Sequence, residues 1–379
     1  MDSSQICNHD KCTGCGACYN KCPKNCIKMK EDNLGFLYPV IEEDKCIHCN
    51  ACRRVCPVNT PRKKRKIKDT FAAWDLDINS RKSSMSGGAA AVFSKYVIKN
   101  GGTVFGASWN DDFTVSHIEV RDEVELDKLK GSKYVQSNIG NIYESVEKAV
   151  KSGKMTLFIG TPCQCAGLMN FMSDSYDNLY VVDIICHGVP SQKLLNDAVK
   201  EAIGEKEYTQ ILFRDRTGYK LQIYNKENLL YAKSYKEASY ARAFLYGLHS
   251  RKSCYSCEYA EPKRVTDITI GDFWGLGVVE KFEHSKEDGV SVILVNSDKG
   301  SDLLDKCKEK MFLEKRQTEE AVNGNSQLQG PHQKHPQYSY FNSNYEEGKY
   351  YSVLKKCFRT ELIVVHVKDL AKKVLRKGR

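Results

Sequence analysis

Within its first sixty residues the chain repeats one cysteine spacing twice. Cys12, Cys15, Cys18 and Cys22, followed by Pro23, form one run; Cys46, Cys49, Cys52 and Cys56, followed by Pro57, form the other. Both read C-x2-C-x2-C-x3-C-P, the spacing of the bacterial two-cluster ferredoxin run. Three cysteines at x2 intervals wrap a loop around one cubane. The fourth is expected on a following helix that leads away, so that it reaches the other cluster. The expected ligand sets are therefore Cys12, Cys15, Cys18 and Cys56 for one [4Fe-4S] cluster, and Cys22, Cys46, Cys49 and Cys52 for a second. Gly14 and Gly16 allow the tight backbone approach. The competing reading is zinc, which takes four ligands, usually in two C-x2-C knuckles. Eight cysteines in two identical fourfold runs fit it poorly. Cys7 and Cys26 fall outside the pattern, as a free thiol and a small buried residue.

Seventeen cysteines is a high count, and they are unevenly placed. This is not the framework of a small disulfide-stapled secreted domain. The polar start reads as no signal peptide, and no apolar run approaches the roughly 18 residues of a spanning helix. A cytoplasmic location is expected, where thiolates stay reduced. The formal charge is +10 with cysteines neutral. A thiolate-bound cubane carries about −2, so three would bring the total to about +4. Nucleic acid is therefore not an expected partner. The basic residues are local, in the run Arg62–Lys68 and in the tail.

The chain divides into a ferredoxin-type module (1–60), a basic solvated linker (61–79), and an α/β body (80–150 and 151–320). An irregular segment and a basic C-terminal helix follow (321–379). In the module, strands are expected at 27–30 and 36–41 around a turn at Asp32-Asn33. In the body, Ala89, Val92, Phe93, Tyr96 and Val97 have helical spacing, stopped at Gly101. Strands are expected at 103–107, 155–159 and 179–185. Helices are expected over 142–150, closed by Gly153, and from Ser191. This alternation predicts a mixed, mainly parallel sheet. Residues 211–236 read as antiparallel strands and 323–345 as irregular. The terminal helix could meet an anionic membrane surface; docking on the body or a partner is the preferred reading.

Cys163 and Cys165 follow directly after one strand, and Cys186 after another. Ligands in open α/β sheets bind beyond such carboxyl ends. Cys254 and Cys257 supply a C-x2-C pair. These segments could converge on one four-cysteine site; singly, each cysteine could equally be a small buried residue, and the pair a zinc knuckle or redox dithiol.

Residues 80–320 resemble the coenzyme F-420 hydrogenase/dehydrogenase beta-subunit family. The matching pieces, in order, are Ser86-Gly87-Gly88 opening a helix, Gly131-Ser132-Lys133-Tyr134, Thr161-Pro162-Cys163-Gln164, Cys186, the Cys254/Cys257 pair, and Thr266-Asp267-Ile268 with Gly271. The resemblance implies an iron-sulfur flavoprotein oxidoreductase. A third [4Fe-4S] cluster would sit on Cys163, Cys186, Cys254 and Cys257, with Cys165 as an alternative to Cys163. An FAD would lie beside it, contacted by Ser86, Gly87, Gly88, Lys133, Tyr134 and Thr161. Free amides at a helix N-terminus suit a pyrophosphate. The segment Cys186–Ser191 and the basic tail resemble a bacterial branch associated with surface-polysaccharide gene clusters, so the two-electron partner could be a deazaflavin or another carrier. No G-x-G-x-x-G follows a strand, which argues against a Rossmann-type NAD site. The expected partner is a redox protein or small electron carrier. The competing functional class is a non-catalytic electron-transfer component of a larger complex.

Overall fold

The structure, a computed structural model, describes residues 5–215 and 218–363. The two cysteine runs flank a hairpin, β1 (Ile27–Glu31) and β2 (Leu37–Ile41), with Ile27 opposite Ile41. The Asp32 carboxylate closes its turn by accepting the backbone N–H groups of Leu34 and Phe36, each at 2.9 Å, as aspartate does in tight turns. A short helix forms within each run, α1 (Ala17–Asn20) and α2 (Ala51–Val55), so the third cysteine lies on the helix and the fourth follows its end, rather than lying on the helix as expected.

The body is built on an eight-stranded sheet. Its strands are β3 (Asp69–Asp75), β4 (Thr103–Trp109), β5 (Val115–Val120), β6 (Thr156–Gly160), β7 (Leu179–Ile184), β11 (Ile268–Asp272), β12 (Ser291–Val295) and β13 (Met311–Lys315). The order is β13-β3-β12-β11-β7-β6-β4-β5. The centre, β11-β7-β6-β4, is parallel, while both flanks are antiparallel. The expected parallel sheet is thus the middle of a mixed one. Helices lie on its faces: α3 (Ile78–Ser83), α4 (Ala89–Lys99), α5 (Ile142–Lys151), α6 (Pro162–Met172) and α7 (Gln192–Ile203). All five residues of β12 are buried, as a strand covered on both faces requires. Residues 210–234 form a separate antiparallel sheet, β8 (Gln210–Asp215), β9 (Gly218–Asn225) and β10 (Asn228–Ser234).

Two expectations need correction. The stretch 61–79 is not a solvated linker. It contains β3, an interior strand with Ala72 and Ala73 fully buried. Even its basic run is tied down: Arg62 donates to Asn170 at 2.9 Å, Arg65 pairs with Asp267, and Lys64 and Lys68 pair with Glu261 and Asp298. Charge alone reads as solvation, but four of the six cations in the run meet acceptors distant in sequence. The stretch 323–345 is likewise not wholly irregular, since a helix forms at Tyr338–Asn344 and buries Tyr338 and Phe341. The expected helix over 361–379 falls mostly outside the described residues.

The module and the body share one core. Ile6, Cys15, Cys18, Ile27 and Val55 pack in the same apolar cluster as Tyr143, Leu168 and Leu194. Fully burying one such side chain contributes roughly 1.5–3 kcal/mol, so the module is joined to the body by packing and not by a tether.

Candidate functional site

The cysteines gather at three places: two hold the sets that the spacing suggested, and the third holds the set that the resemblance implied. Cys12, Cys15, Cys18 and Cys56 line one small cavity. Cys22, Cys46, Cys49 and Cys52 line another. In each case the fourth cysteine of one run joins the first three of the other. Cys163, Cys186, Cys254 and Cys257 form the third group. Cys163 lies in the first turn of α6, just beyond β6, and Cys186 lies just beyond β7. Cys254 and Cys257 lie in and just after the single turn Lys252–Ser256. Burial raises the Cys186 thiol, and the neighbouring Cys254, Cys163 and Cys257 raise it further. Burial pushes Cys254 up to about 12 and Cys257 up to about 11, again with cysteine neighbours contributing. Cys165 is elsewhere. Its fully buried thiol turns to the Val182 carbonyl of β7 at 3.6 Å, which favours Cys163 as the cluster-facing residue.

Among the described residues, one trio of metal-ligating side chains has ligand atoms within 4.8 Å of one another: Glu43, Cys46 and His48, at the outer loop.

Each ferredoxin set also has a fifth thiol that the spacing did not reveal. Cys7 is buried against Cys12 and Cys56. Hydrogen bonding from Cys7 is the largest influence holding Cys12 down to about 6. The Cys26 sulfur is 3.3 Å from that of Cys22.

The three groups differ in exposure. The Cys46–Cys52 loop is the outer one: Cys49 is exposed and Ile47 is 55% exposed. The Cys12 set is buried beneath the body. The Tyr143 hydroxyl lies 2.8 Å from both the Cys15 and the Gln164 carbonyls, sharing its one proton between them and joining that loop to the start of α6. Gly167 allows this approach, because a Cβ there would lie 3.0 Å from the Cys15 sulfur. Burial pushes the Cys15 thiol up to about 12, and both Cys56 and Cys163 act on it.

Cys163 and Cys186 open onto a cavity of about 380 Å³, within the range of cofactor sites. Of the sequence-predicted flavin contacts, Ser86, Gly88, Lys133, Tyr134 and Thr161 line it. Gly87 does not: it faces β3, where a Cβ would meet the Ala73 carbonyl at 2.2 Å. Gly88, at φ +87°, is the N-cap of the eleven-residue α4. Thr161 caps α6 in a reciprocal capping box with Gln164. The Tyr134 ring stacks on Phe244 at 4.6 Å. Lys133 donates to the carbonyls of Lys128, Leu129 and Lys130, and burial lowers it to about 7. His187 lies on the wall, lowered by burial to about 4.

Sequence reasoning missed the far wall. Arg214 of β8 pairs with Asp272 of β11 at 2.6 Å and lies 5.9 Å from the Trp274 ring centre. Only the meeting of two sheets makes this pair, so no local signal existed.

The family model that describes the C terminus of the coenzyme F420 hydrogenase/dehydrogenase beta subunit matches residues 153–321. The model for the 4Fe-4S dicluster domain matches residues 11–60. Among solved structures, a chain of the F420-reducing [NiFe] hydrogenase complex from Methanosarcina barkeri shares the fold. Its TM-score is 0.50 at 15% identity, over 70% of this chain and 90% of that one. No curated protein matches by sequence.

Proposed function

We propose that this chain, in which a 4Fe-4S dicluster domain precedes the C-terminal domain of a coenzyme F420 hydrogenase/dehydrogenase beta subunit, is an iron-sulfur flavoprotein oxidoreductase. The observation that carries this reading is the series of three cysteine groups, from the exposed loop at Cys49, through the buried group at Cys15, to Cys163 and Cys186 on the cavity wall. A carrier protein would exchange single electrons at the exposed end. The cavity would hold FAD, which supplies conversion between one- and two-electron transfer when bound. In this reading the amides at the start of α4 and Ser86 hold the pyrophosphate. Tyr134 gives the ring system an aromatic wall, and Lys133, lowered by burial to about 7, supplies positive charge beside it when protonated. His187 can hold or pass a proton next to Cys186. Cys163, Cys186, Cys254 and Cys257 would ligate the third [4Fe-4S] cluster. The two-electron partner is a deazaflavin or another diffusible carrier, and a role in surface-polysaccharide metabolism follows from the branch resemblance.

The alternative is a cluster-only wire within a larger complex, which the exposed outer group would also serve. Iron, sulfide and flavin counted per chain after anaerobic preparation separate the two. The proposal expects about twelve iron, as three cubanes require, and FAD released on denaturation. Replacing Cys254 and Cys257 with Ser should remove about four iron and leave about eight. Unchanged iron in that variant rejects the third set. A flavin-free protein that still passes electrons at full rate rejects the cavity reading in favour of the wire.

A further inference from the structure

Arg251 is the largest fully buried side chain among the described residues. Its guanidinium sits over the loop that carries Cys12. Nε donates to the Cys12 carbonyl at 2.7 Å and Nη2 to the Leu37 carbonyl at 2.9 Å. Nη1 donates to Gln136 Oε1 at 3.2 Å, and Nη2 also approaches the Cys12 sulfur at 3.7 Å. The Tyr38 ring lies 4.2 Å away. These partners are two carbonyls, an amide, a ring and a sulfur; none of them is a carboxylate. Buried charges are normally paired or set against a metal centre, and here the cation is aimed at a cluster ligand.

We propose that Arg251 is a positioning residue that raises the reduction potential of the cluster held by Cys12, Cys15, Cys18 and Cys56. The proposal rests on that ligand set. Reduction adds one electron and no proton, taking the thiolate-bound cubane from about −2 to about −3. Burial penalises the more highly charged reduced form, whereas hydrogen bonds to sulfur and a nearby cation favour it. The outer set is served differently. Arg54 donates to the Cys49 carbonyl at 2.9 Å, but from an exposed position where water screens its charge. The Cys46 sulfur meets the backbone N–H of His48 at 3.4 Å, also in an exposed loop. Arg251 therefore offsets the cost of burial at the inner cluster, so that an electron arriving from outside can move inward. It also begins the segment that supplies Cys254 and Cys257, placing the charge between two of the three groups.

The test is a redox titration followed by electron paramagnetic resonance on full-length, anaerobically loaded protein. The outer signal is identified by its loss in Cys46→Ala. Arg251→Gln, with full iron, should make the inner cluster at least tenfold harder to reduce, a fall of about 59 mV for one electron. The outer midpoint should stay in place, and Arg251→Lys should restore most of the inner one. An unmoved inner midpoint, or equal shifts in the Gln and Lys variants, overturns the proposal. Should Arg251→Gln lose its inner iron, Gln136→Glu decides. Its carboxylate beside the guanidinium should lower the inner midpoint, and no shift there also overturns it. Wild-type protein lacking inner iron removes the ligand reading, and this inference with it. Full iron with unmoved midpoints removes this inference alone.

Discussion

The two cysteine runs share a spacing and a backbone, yet they differ in everything around them. Gly14 and Gly16 adopt left-handed angles, φ +66° and +74°; the matching His48 and Asn50 adopt them too, at +52° and +58°. Glycine is thus not needed for the backbone itself, since His and Asn reach this region at modest cost. The difference is what lies above the loop. A Cβ on Gly14 would sit 2.9 Å from an Arg251 nitrogen, whereas His48 faces solvent. One loop is read by the body and the other faces solvent. An ordered route needs such asymmetry, because two equivalent clusters would give electrons no preferred end.

The largest effect comes from the ligands. Cys12→Ala combined with Cys46→Ala should abolish both N-terminal clusters, with the loss of about eight iron per chain, measured as dithionite-bleachable visible absorption and iron content. Zinc in place of iron after anaerobic reconstitution would contradict the whole assignment. A smaller effect separates the loops from each other. A chelator should strip about four iron in a fast phase, roughly tenfold ahead of the rest, because the outer set needs no opening while the inner one needs local unfolding. Identical rates for all the iron would erase the distinction between them.

What the sequence could disclose follows from how local each signal is. Ligand spacing is local, so the exchange of Cys22 and Cys56 between the two sets was readable without coordinates. Helix punctuation was readable too: Ser191 does cap α7, accepting from the Leu194 N–H, and α5 ends just before Gly153. The pairing of distant elements was not. Thr70 to Asp75 carries no strand pattern distinct from a linker, and it becomes a strand because β12 and β13 bracket it. Arg214 gains its role from Asp272, and Arg251 from Cys12, partners that lie 58 and 239 residues away along the chain. Gly87 shows the reverse case: it was grouped with Gly88 for a ligand, but close packing against β3 explains it.

Acid should act on the buried body more than on the exposed loop. His117 is buried between Ser137 and the Ile159 carbonyl, and burial lowers its pKa to about 4. The unfolded chain takes up this proton near pH 6.5. Between pH 6.5 and about 4 the unfolded state therefore binds more protons, and stability falls as pH falls. The stabilisation is complete above pH 6.5 and is lost on the way down to about pH 4, a change of about 3 kcal/mol at most. His117→Gln should flatten that part of the unfolding profile, measured on holoprotein. A profile as steep as wild type would assign the acid sensitivity to other groups.

The smallest effect tests the comparison at its root. Gly14→Ala places a methyl against the Arg251 fork and Gln136, at 2.9–3.0 Å, and keeps a left-handed φ. The fork cannot swing away, because its other nitrogens are held by the Cys12 and Leu37 carbonyls. Overpacking and the left-handed penalty together should cost about 2 kcal/mol, read as roughly thirtyfold faster loss of cluster absorbance in guanidinium. His48→Gly makes the complementary change in the outer loop. It relieves a left-handed side chain but loosens the unfolded chain, and these opposing terms should leave stability within about 0.5 kcal/mol. If both substitutions slow or speed cluster loss alike, the loops are equivalent, and the body does not read the inner one through Arg251. If only Gly14→Ala is costly, and the cost shrinks when Arg251 is shortened to Gln, the contact itself distinguishes them, since residues that touch are non-additive.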